Sequence, residues 1–180
     1  MKKYSVAVLT PTLGERESLL EECKASVRAQ TVPVQHLIAV DEDREGPSVI
    51  RNRLAEQTDA EWLLPLDDDD LLDPEAVHLL LSAAGGSDVV YPWCRVTGSS
   101  WSPNRLFTAK TLESHNYIPV TALIRRSLWE KVKWRVAPHS EDWIFWRDCV
   151  KAGAKFTCIP EVLWTYRIGE SGTSRNNWVK

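Results

Sequence analysis

Residues 4–10 (YSVAVLT) form a short β-rich apolar run that stops at Pro11-Thr12-Leu13-Gly14, the pattern of a buried strand entering a loop. Over 16–30 the period changes: Leu19, Leu20, Cys23 and Val27 recur at helical spacing, and Glu15, Glu17, Glu21 and Glu22 favour the N-terminal end of that helix. Residues 34–40 read as a second strand closing on Asp41-Glu42-Asp43, and Gly46-Pro47-Ser48 opens a second helix through Glu56. Residues 61–66 (EWLLPL) are a third strand ending in four aspartates. A helix follows from near Pro74 to Gly85-Gly86, and then a fourth strand at 89–91.

Strands alternating with helices predict an α/β fold with a mainly parallel central sheet, right-handed crossovers and helices on its flanks. In such sheets ligands gather at the carboxyl ends of the strands. The polar clusters at 11–16, 41–43 and 67–70 all follow strands, so folding is expected to bring them to one edge. The second half is less regular. Residues 93–108 read as a loop over the sheet edge, 120–124 as a strand and 127–132 as a short helix. Ser140 is the expected N-cap of a helix over 141–152 that Gly153 stops, and 155–167 form one or two closing strands. The 180 residues suit one domain: a first half over 1–92, a second over 93–168 and a mobile tail over 169–180.

Composition narrows the function classes. Hydrophobic residues make up 43% and charged residues 26%, ordinary for a globular chain. A net charge of -3 argues against nucleic acid as a partner, because that binding depends on dense Lys and Arg. Cys23, Cys94, Cys149 and Cys158 are scattered without a CxxC pair and read as reduced thiols. Neither a signal peptide nor a transmembrane segment fits the N-terminal run, so the cytoplasm is the expected location. Nine tryptophans are many for this length, and several stand beside polar residues in the second half, where some are expected to face a ligand.

The strongest chemical signal is LDDDD, residues 66–70. Four adjacent carboxylates raise one another's pKa values unless cations or donors compensate, and a divalent cation is a natural compensation. In extended backbone Asp67 and Asp69 point the same way, which suits one for a metal and the other for a ribose hydroxyl or metal-bound water. Oxygen ligands select Mg2+ or Mn2+. Taken alone, the four acids read equally well as a strand end that caps the next helix.

Four stretches together carry a family resemblance: VLTPTLGERESL (8–19), VDED (40–43), WLLPLDDDDLLDPEAV (62–77) and SEDWIFWRDCVKAGAKFTCIPEVLWTYR (140–167). In this order the chain resembles the family-2 type of glycosyltransferases with the Rossmann-like, nucleotide-sugar-binding GT-A fold. The resemblance implies that Pro11, Thr12 and Arg16 lie at the nucleotide and that Asp41 hydrogen-bonds the base. It likewise implies that the helix bearing Arg51 and Asn52 faces the nucleotide. Asp67-Asp68-Asp69 corresponds to the DxD motif, with Asp69 the metal ligand and Asp67 near ribose and metal. Glu141-Asp142 resembles the ED motif, whose aspartate is the expected catalytic base.

The implied reaction moves a sugar from a nucleotide-diphosphate sugar, with UDP the favoured carrier, to the hydroxyl of a glycan, protein or small molecule. Arg167 and a divalent ion are expected to stabilise the departing diphosphate. A base that only activates the acceptor implies one displacement and inversion. Without the resemblance, Glu141 and Asp142 read as ordinary first-turn helix acids. Trp143 and Trp146, three apart on one helix face, are divided between acceptor contact and core. Trp93 and Trp101 are acceptor-site candidates against a role as loop anchors, and His139 stands outside the metal set. Tyr166-Arg167 is followed by Ile168-Gly169-Glu170, without the histidine many relatives carry there.

Two further readings compete. A nucleotidyltransferase would want a Gly-rich, basic phosphate loop after the first strand, which PTLGERE is not. A phosphatase of the Asp-nucleophile type would begin from its DxD strand. The non-enzymatic alternative is a nucleotide-sugar-binding relative without turnover, and Asp67, Asp69 and Asp142 argue against it.

Overall fold

The computed structural model describes residues 4–137 and 140–168. The first half runs β1 (Val6–Thr12), α1 (Glu17–Arg28), β2 (Gln35–Val40), α2 (Pro47–Glu56), β3 (Trp62–Pro65), β4 (Leu71–Leu72) and α3 (Ala76–Ser82). The second half runs β5 (Val89–Thr97), α4 (Ala109–Ser114), β6 (Leu123–Arg125), α5 (Arg126–Val132), α6 (Glu141–Lys151) and β7 (Phe156–Arg167). These form one seven-stranded sheet in the order β2-β1-β3-β6-β5-β7-β4.

Strand β1 is buried along its whole length, which is why its sequence is a continuous apolar run instead of an alternating one. Its side chains divide between two cores. Ala7 and Leu9 join Leu63, Tyr91 and Ile124 against α2, α5 and α6, while Val6 and Val8 join Leu64, Val90 and Leu123 against α1 and α3. The sheet is therefore sandwiched, and the polar ends of its strands are what remains open to a ligand.

The α/β class follows the alternation, but the sheet is mixed. Strand β1 pairs parallel with β2 and β3, and β5 pairs parallel with β7; β6 runs antiparallel to both β3 and β5, and β4 antiparallel to β7. The reversals come from the shortest strands, β6 and β4, whose three and two residues carry no periodic signal from which a direction is legible. Residues 93–97, read as loop, continue β5, because β7 offers a parallel ladder as far as Thr97 opposite Arg167, with register shifts between Pro92 and Cys94. The segment read as loop ends on Thr108, whose side chain accepts from the Thr111 N–H and caps α4, a helix in a stretch to which the sequence assigned no element. The closing strand is a single one.

Where β6 ends, Cys94 on β5 keeps an open edge that Asn104 fills. The Asn104 amide accepts from the Cys94 N–H at 2.8 Å and donates to the Cys94 carbonyl at 2.9 Å, taking the place of a strand residue. Two helix starts show different devices. Gly46 (φ +98°) and Pro47 open α2 as read from sequence. Ser140 does not cap α6: its backbone is left-handed (φ 56°, ψ 40°) and its side chain makes no capping bond, so the first-turn acids Glu141 and Asp142 alone answer the helix dipole. All four cysteines are free. Among the described residues no helix is long and apolar enough to cross a membrane.

Candidate active site

The acidic segment leaves β3 where Leu66 donates to the Leu9 carbonyl, and it then turns, with the Asp70 N–H closing on the Asp67 carbonyl at 3.1 Å. Extended alternation therefore does not apply to Asp67 and Asp69, and each carboxylate finds its own partner. Asp67 accepts from Arg51 Nη2 at 2.6 Å. Asp68 accepts from the Thr12 hydroxyl at 2.5 Å and pairs with Arg16, whose other nitrogen reaches Asp69 at 2.6 Å. Asp70 accepts from the Arg167 N–H at 3.0 Å and keeps a buried oxygen, Oδ2, without a partner.

Two arginines thus supply compensation where the sequence offered a divalent cation as the natural one. Burial pushes the Asp68 carboxyl up to about 6, and burial together with Asp67 and Asp69 pushes Asp70 well above the usual carboxylate range, so Asp70 is the acid of the four that most favours its proton. Of the four, Asp67 is the open one, with 32% of its side chain exposed.

The Arg51 side chain is 1% exposed and reaches in two directions, to Asp67 and, at 3.3 Å, to Glu141 at the start of α6. A residue on α2 thereby ties the acidic turn to the first turn of α6, 90 residues further along the chain. Next to Glu141, Asp142 is half-buried, and both its oxygens lie 3.2 Å from Asn116 Nδ2. Desolvation first and the Glu141 charge second raise its carboxyl to about 6, against the pull of Asn116, the Trp143 N–H and Arg51. That value suits a group that must be ionised near neutrality and still accept a proton.

The remaining candidates fall into three groups. At the strand ends, Pro11 and Thr12 are buried in β1 beside the acidic turn, and Asp41 spends both oxygens on the backbone, accepting from the Glu45 and Gly46 N–H groups at 2.9 and 2.8 Å. Asn52, expected at the nucleotide, is instead a packing residue. It donates to the Trp134 carbonyl and accepts from Trp129 Nε1 and the Trp134 N–H. The Arg167 guanidinium, expected at the diphosphate, pairs with Glu22 on α1 at 2.6 Å, leaving its backbone N–H to the acidic turn.

The tryptophans are the third group. Trp146 is 0% exposed and donates to the Ile118 carbonyl at 2.7 Å, which removes it from acceptor contact. Trp143 donates to the Leu112 carbonyl at 2.6 Å, with the Arg147 guanidinium 5.3 Å over its ring. Trp101 is 40% exposed and meets Tyr166 edge-on at 6.3 Å, whereas Trp93 is half-buried with an unpartnered Nε1. His139 and residues 169–180 lie outside the described residues.

Sequence reasoning missed Asn116. A single asparagine in a loop between an unrecognised helix and a three-residue strand carries no motif, and only the chain's return over α6 makes it part of the site.

Among the described residues no three His, Cys, Asp or Glu side chains converge to hold a metal by themselves. The donors present still fit a hard cation: Asp67 and Asp69 offer carboxylate oxygens, and Mg2+ in particular is held by one or two carboxylates, with water and substrate phosphates completing its shell.

Residues 42–139, more than half of the chain, match the family model described as "Glycosyl transferase family 2"; the match ends just before Glu141-Asp142. No curated protein sequence matches. Among solved structures, S. aureus TarS (residues 1–349) in complex with UDP-GlcNAc superposes with a TM-score of 0.80 at 16% identity, over 96% of this chain and 61% of that one. The mannosyltransferase PcManGT of Pyrobaculum calidifontis, in complex with GDP-Man and Mn2+, gives 0.72 at 15% identity, over 96% and 59%. The chain thus spans about three-fifths of each of these two solved chains, and at these identities the likeness is one of fold. With the α/β sandwich of these GT-A structures and a family match over most of its central sequence, the chain belongs to glycosyl transferase family 2.

Proposed function

We propose that this chain transfers a sugar from a nucleotide-diphosphate sugar to an acceptor hydroxyl with inversion, using Asp142 as the base. The observation that carries the reading is the Arg51 bridge, through which a fully buried guanidinium joins the open carboxylate of the acidic turn to the first turn of α6. Donor-binding acids and an acceptor-activating acid need such a fixed relation, because the reacting atoms must meet at bonding distance.

In the reaction, the acceptor oxygen forms its bond to the anomeric carbon while the bond from that carbon to the diphosphate oxygen breaks. The bonding pair leaves with the nucleotide diphosphate, and the hydroxyl proton passes to the Asp142 carboxylate. Asp142 forms no bond to the sugar, so a single displacement inverts the centre. Asp67 and Asp69 would hold Mn2+ or Mg2+, and a bound cation supplies charge stabilisation to the diphosphate. The nucleotide lies along 11–16, with Arg16 and Arg51 as the cations nearest the phosphates and Asp41 ordering the loop beside the base. UDP is the favoured carrier: TarS was solved with UDP-GlcNAc, and PcManGT with GDP-Man keeps GDP as the second choice. Residues 1–92 form the donor half and 93–168 the acceptor half, with Trp93, Trp101 and Trp143 on the acceptor side.

The test is a thermal-shift panel of UDP- and GDP-sugars with and without Mn2+, followed by donor turnover in Asp142→Asn. A metal-dependent rise in melting temperature with one class of donor is expected, together with loss of turnover by a factor of at least about 100 in the variant and retained nucleotide binding. No shift with any sugar nucleotide would remove the reading.

A further inference from the structure

Asn116 is held over Asp142 by more than its own bonds. The segment 112–118 is fastened to α6 at both ends: Trp143 Nε1 donates to the Leu112 carbonyl at 2.6 Å, and Trp146 Nε1 to the Ile118 carbonyl at 2.7 Å. Tyr117 adds a third tie, its hydroxyl accepting from the Thr108 N–H at 2.9 Å and donating to the Thr108 carbonyl at 3.1 Å. Both indoles stand on the helix that carries Asp142, one and four residues beyond it. The fold therefore fixes the height of segment 112–118 above the base, and Asn116 is the residue that this brackets.

The bonds to Asp142 are unequal. Oδ1 accepts from Asn116 Nδ2 and, at 2.7 Å, from the Trp143 N–H, whereas among the described residues Oδ2 accepts from Asn116 alone. An ionised carboxylate has about two acceptor positions on each oxygen, so Oδ1 is filled and Oδ2 keeps one. Asn116 Oδ1 is itself buried without a partner. An unpaired buried acceptor is a cost that folds retain mainly where the rest of the group serves a site.

We propose that Asn116 is the positioning residue of the base: it holds the Asp142 carboxylate in one plane and leaves Oδ2 as the oxygen that takes the acceptor proton. The inference rests on the reading of Asp142 as base. The charged groups facing Asp142 among the described residues are Glu141 on its own helix and Arg51 on α2, and neither touches Asn116 in any hydrogen bond of the structure. Removing the amide thus removes a donor that stabilises the ionised form and leaves the charges around it in place.

The experiment is a carbon-13 NMR titration of aspartate side-chain carboxyls in the complete chain, with the Asp142 resonance identified by its loss in Asp142→Asn. In wild type the Asp142 midpoint is expected near 6. In Asn116→Leu it rises by about one pH unit, the worth of one hydrogen bond to a carboxylate. If Asn116→Leu does not fold, Asn116→Ala gives the same readout. With a donor from the binding panel, the folded variant is expected to lose turnover about tenfold or more at pH 7 with the donor KM unchanged.

An unmoved or lowered midpoint in a folded variant overturns the positioning role even if activity falls, because a purely structural asparagine would not move it. The two readings fail separately: retained turnover in Asp142→Asn sinks the base, and an inactive Asp142→Asn with an unmoved Asn116→Leu midpoint sinks only this inference.

Discussion

Asp142 carries a stability cost that pH can reveal without any substrate. Its carboxyl, ordinarily near 3.8, stands at about 6 in the folded protein because burial and Glu141 disfavour the charge. The folded state therefore binds more protons than the unfolded one between those values. The stability Asp142 contributes is complete below 3.8 and is lost as the pH rises through about 6. At roughly 1.4 kcal/mol per pH unit, the full difference is about 3 kcal/mol, and between pH 5 and pH 8 about 1.4 kcal/mol of it is in play.

Asp142→Asn keeps an acceptor for Asn116 and the Trp143 N–H but has no charge to bury. Its stability relative to wild type should be about 1.4 kcal/mol more favourable at pH 8 than at pH 5, or roughly 3–5 °C in Tm for a chain of this size. Urea denaturation followed by tryptophan fluorescence at both pH values measures it. Asp68, also raised to about 6, titrates in both proteins and cancels in the comparison. A variant whose stability relative to wild type is the same at pH 5 and pH 8 would refute the desolvation argument.

The same electrostatics give Glu141→Gln the opposite sign to Asn116→Leu: removing the Glu141 charge should lower the Asp142 midpoint, and the acid limb of the turnover profile with it, by about half a unit to one unit. Asn52→Ala should cost on the order of 2–4 kcal/mol in urea denaturation with nucleotide affinity unchanged, because it orphans groups on Trp129 and Trp134. Trp146→Ala should destabilise by about 3–5 kcal/mol, since it empties a fully buried site and frees the Ile118 carbonyl. Calorimetric Mn2+ titrations should show weak binding to the protein alone and at least about tenfold tighter binding with UDP present, since the protein by itself converges fewer than three ligands among the described residues. Equal affinity in both titrations would argue for a complete protein-only metal site.

What the sequence made legible was whatever repeats along the chain. The apolar run over 4–10 and the helical period over 16–30 set out β1 and α1, and strand-end clusters at 11–16 and 67–70 converge as the topology requires. Interactions across the fold were not legible. Nothing in LDDDD says that Arg16 and Arg51 will neutralise it, and nothing in the spacing of Trp143 and Trp146 separates a ring that meets sugar from an indole N–H that ties down a loop. Asn52 and Arg167 stood in the right motifs, yet their side chains point to partners that only tertiary contact supplies. Ser140 was misread because a cap requires a backbone conformation as well as a hydroxyl.

The Asn104 amide seals the edge of Cys94 with a single side chain, so the excursion from 98 to 103 leaves from the end of β5 at Thr97, paired with Arg167, and returns to a closed position on the same strand. Its length is therefore decoupled from the registry of β5, and doubling it costs only about 0.6 kcal/mol in closure entropy. Segments grafted or inserted at this point would lengthen the excursion without retuning the register of the sheet, which leaves the stretch open to elaboration.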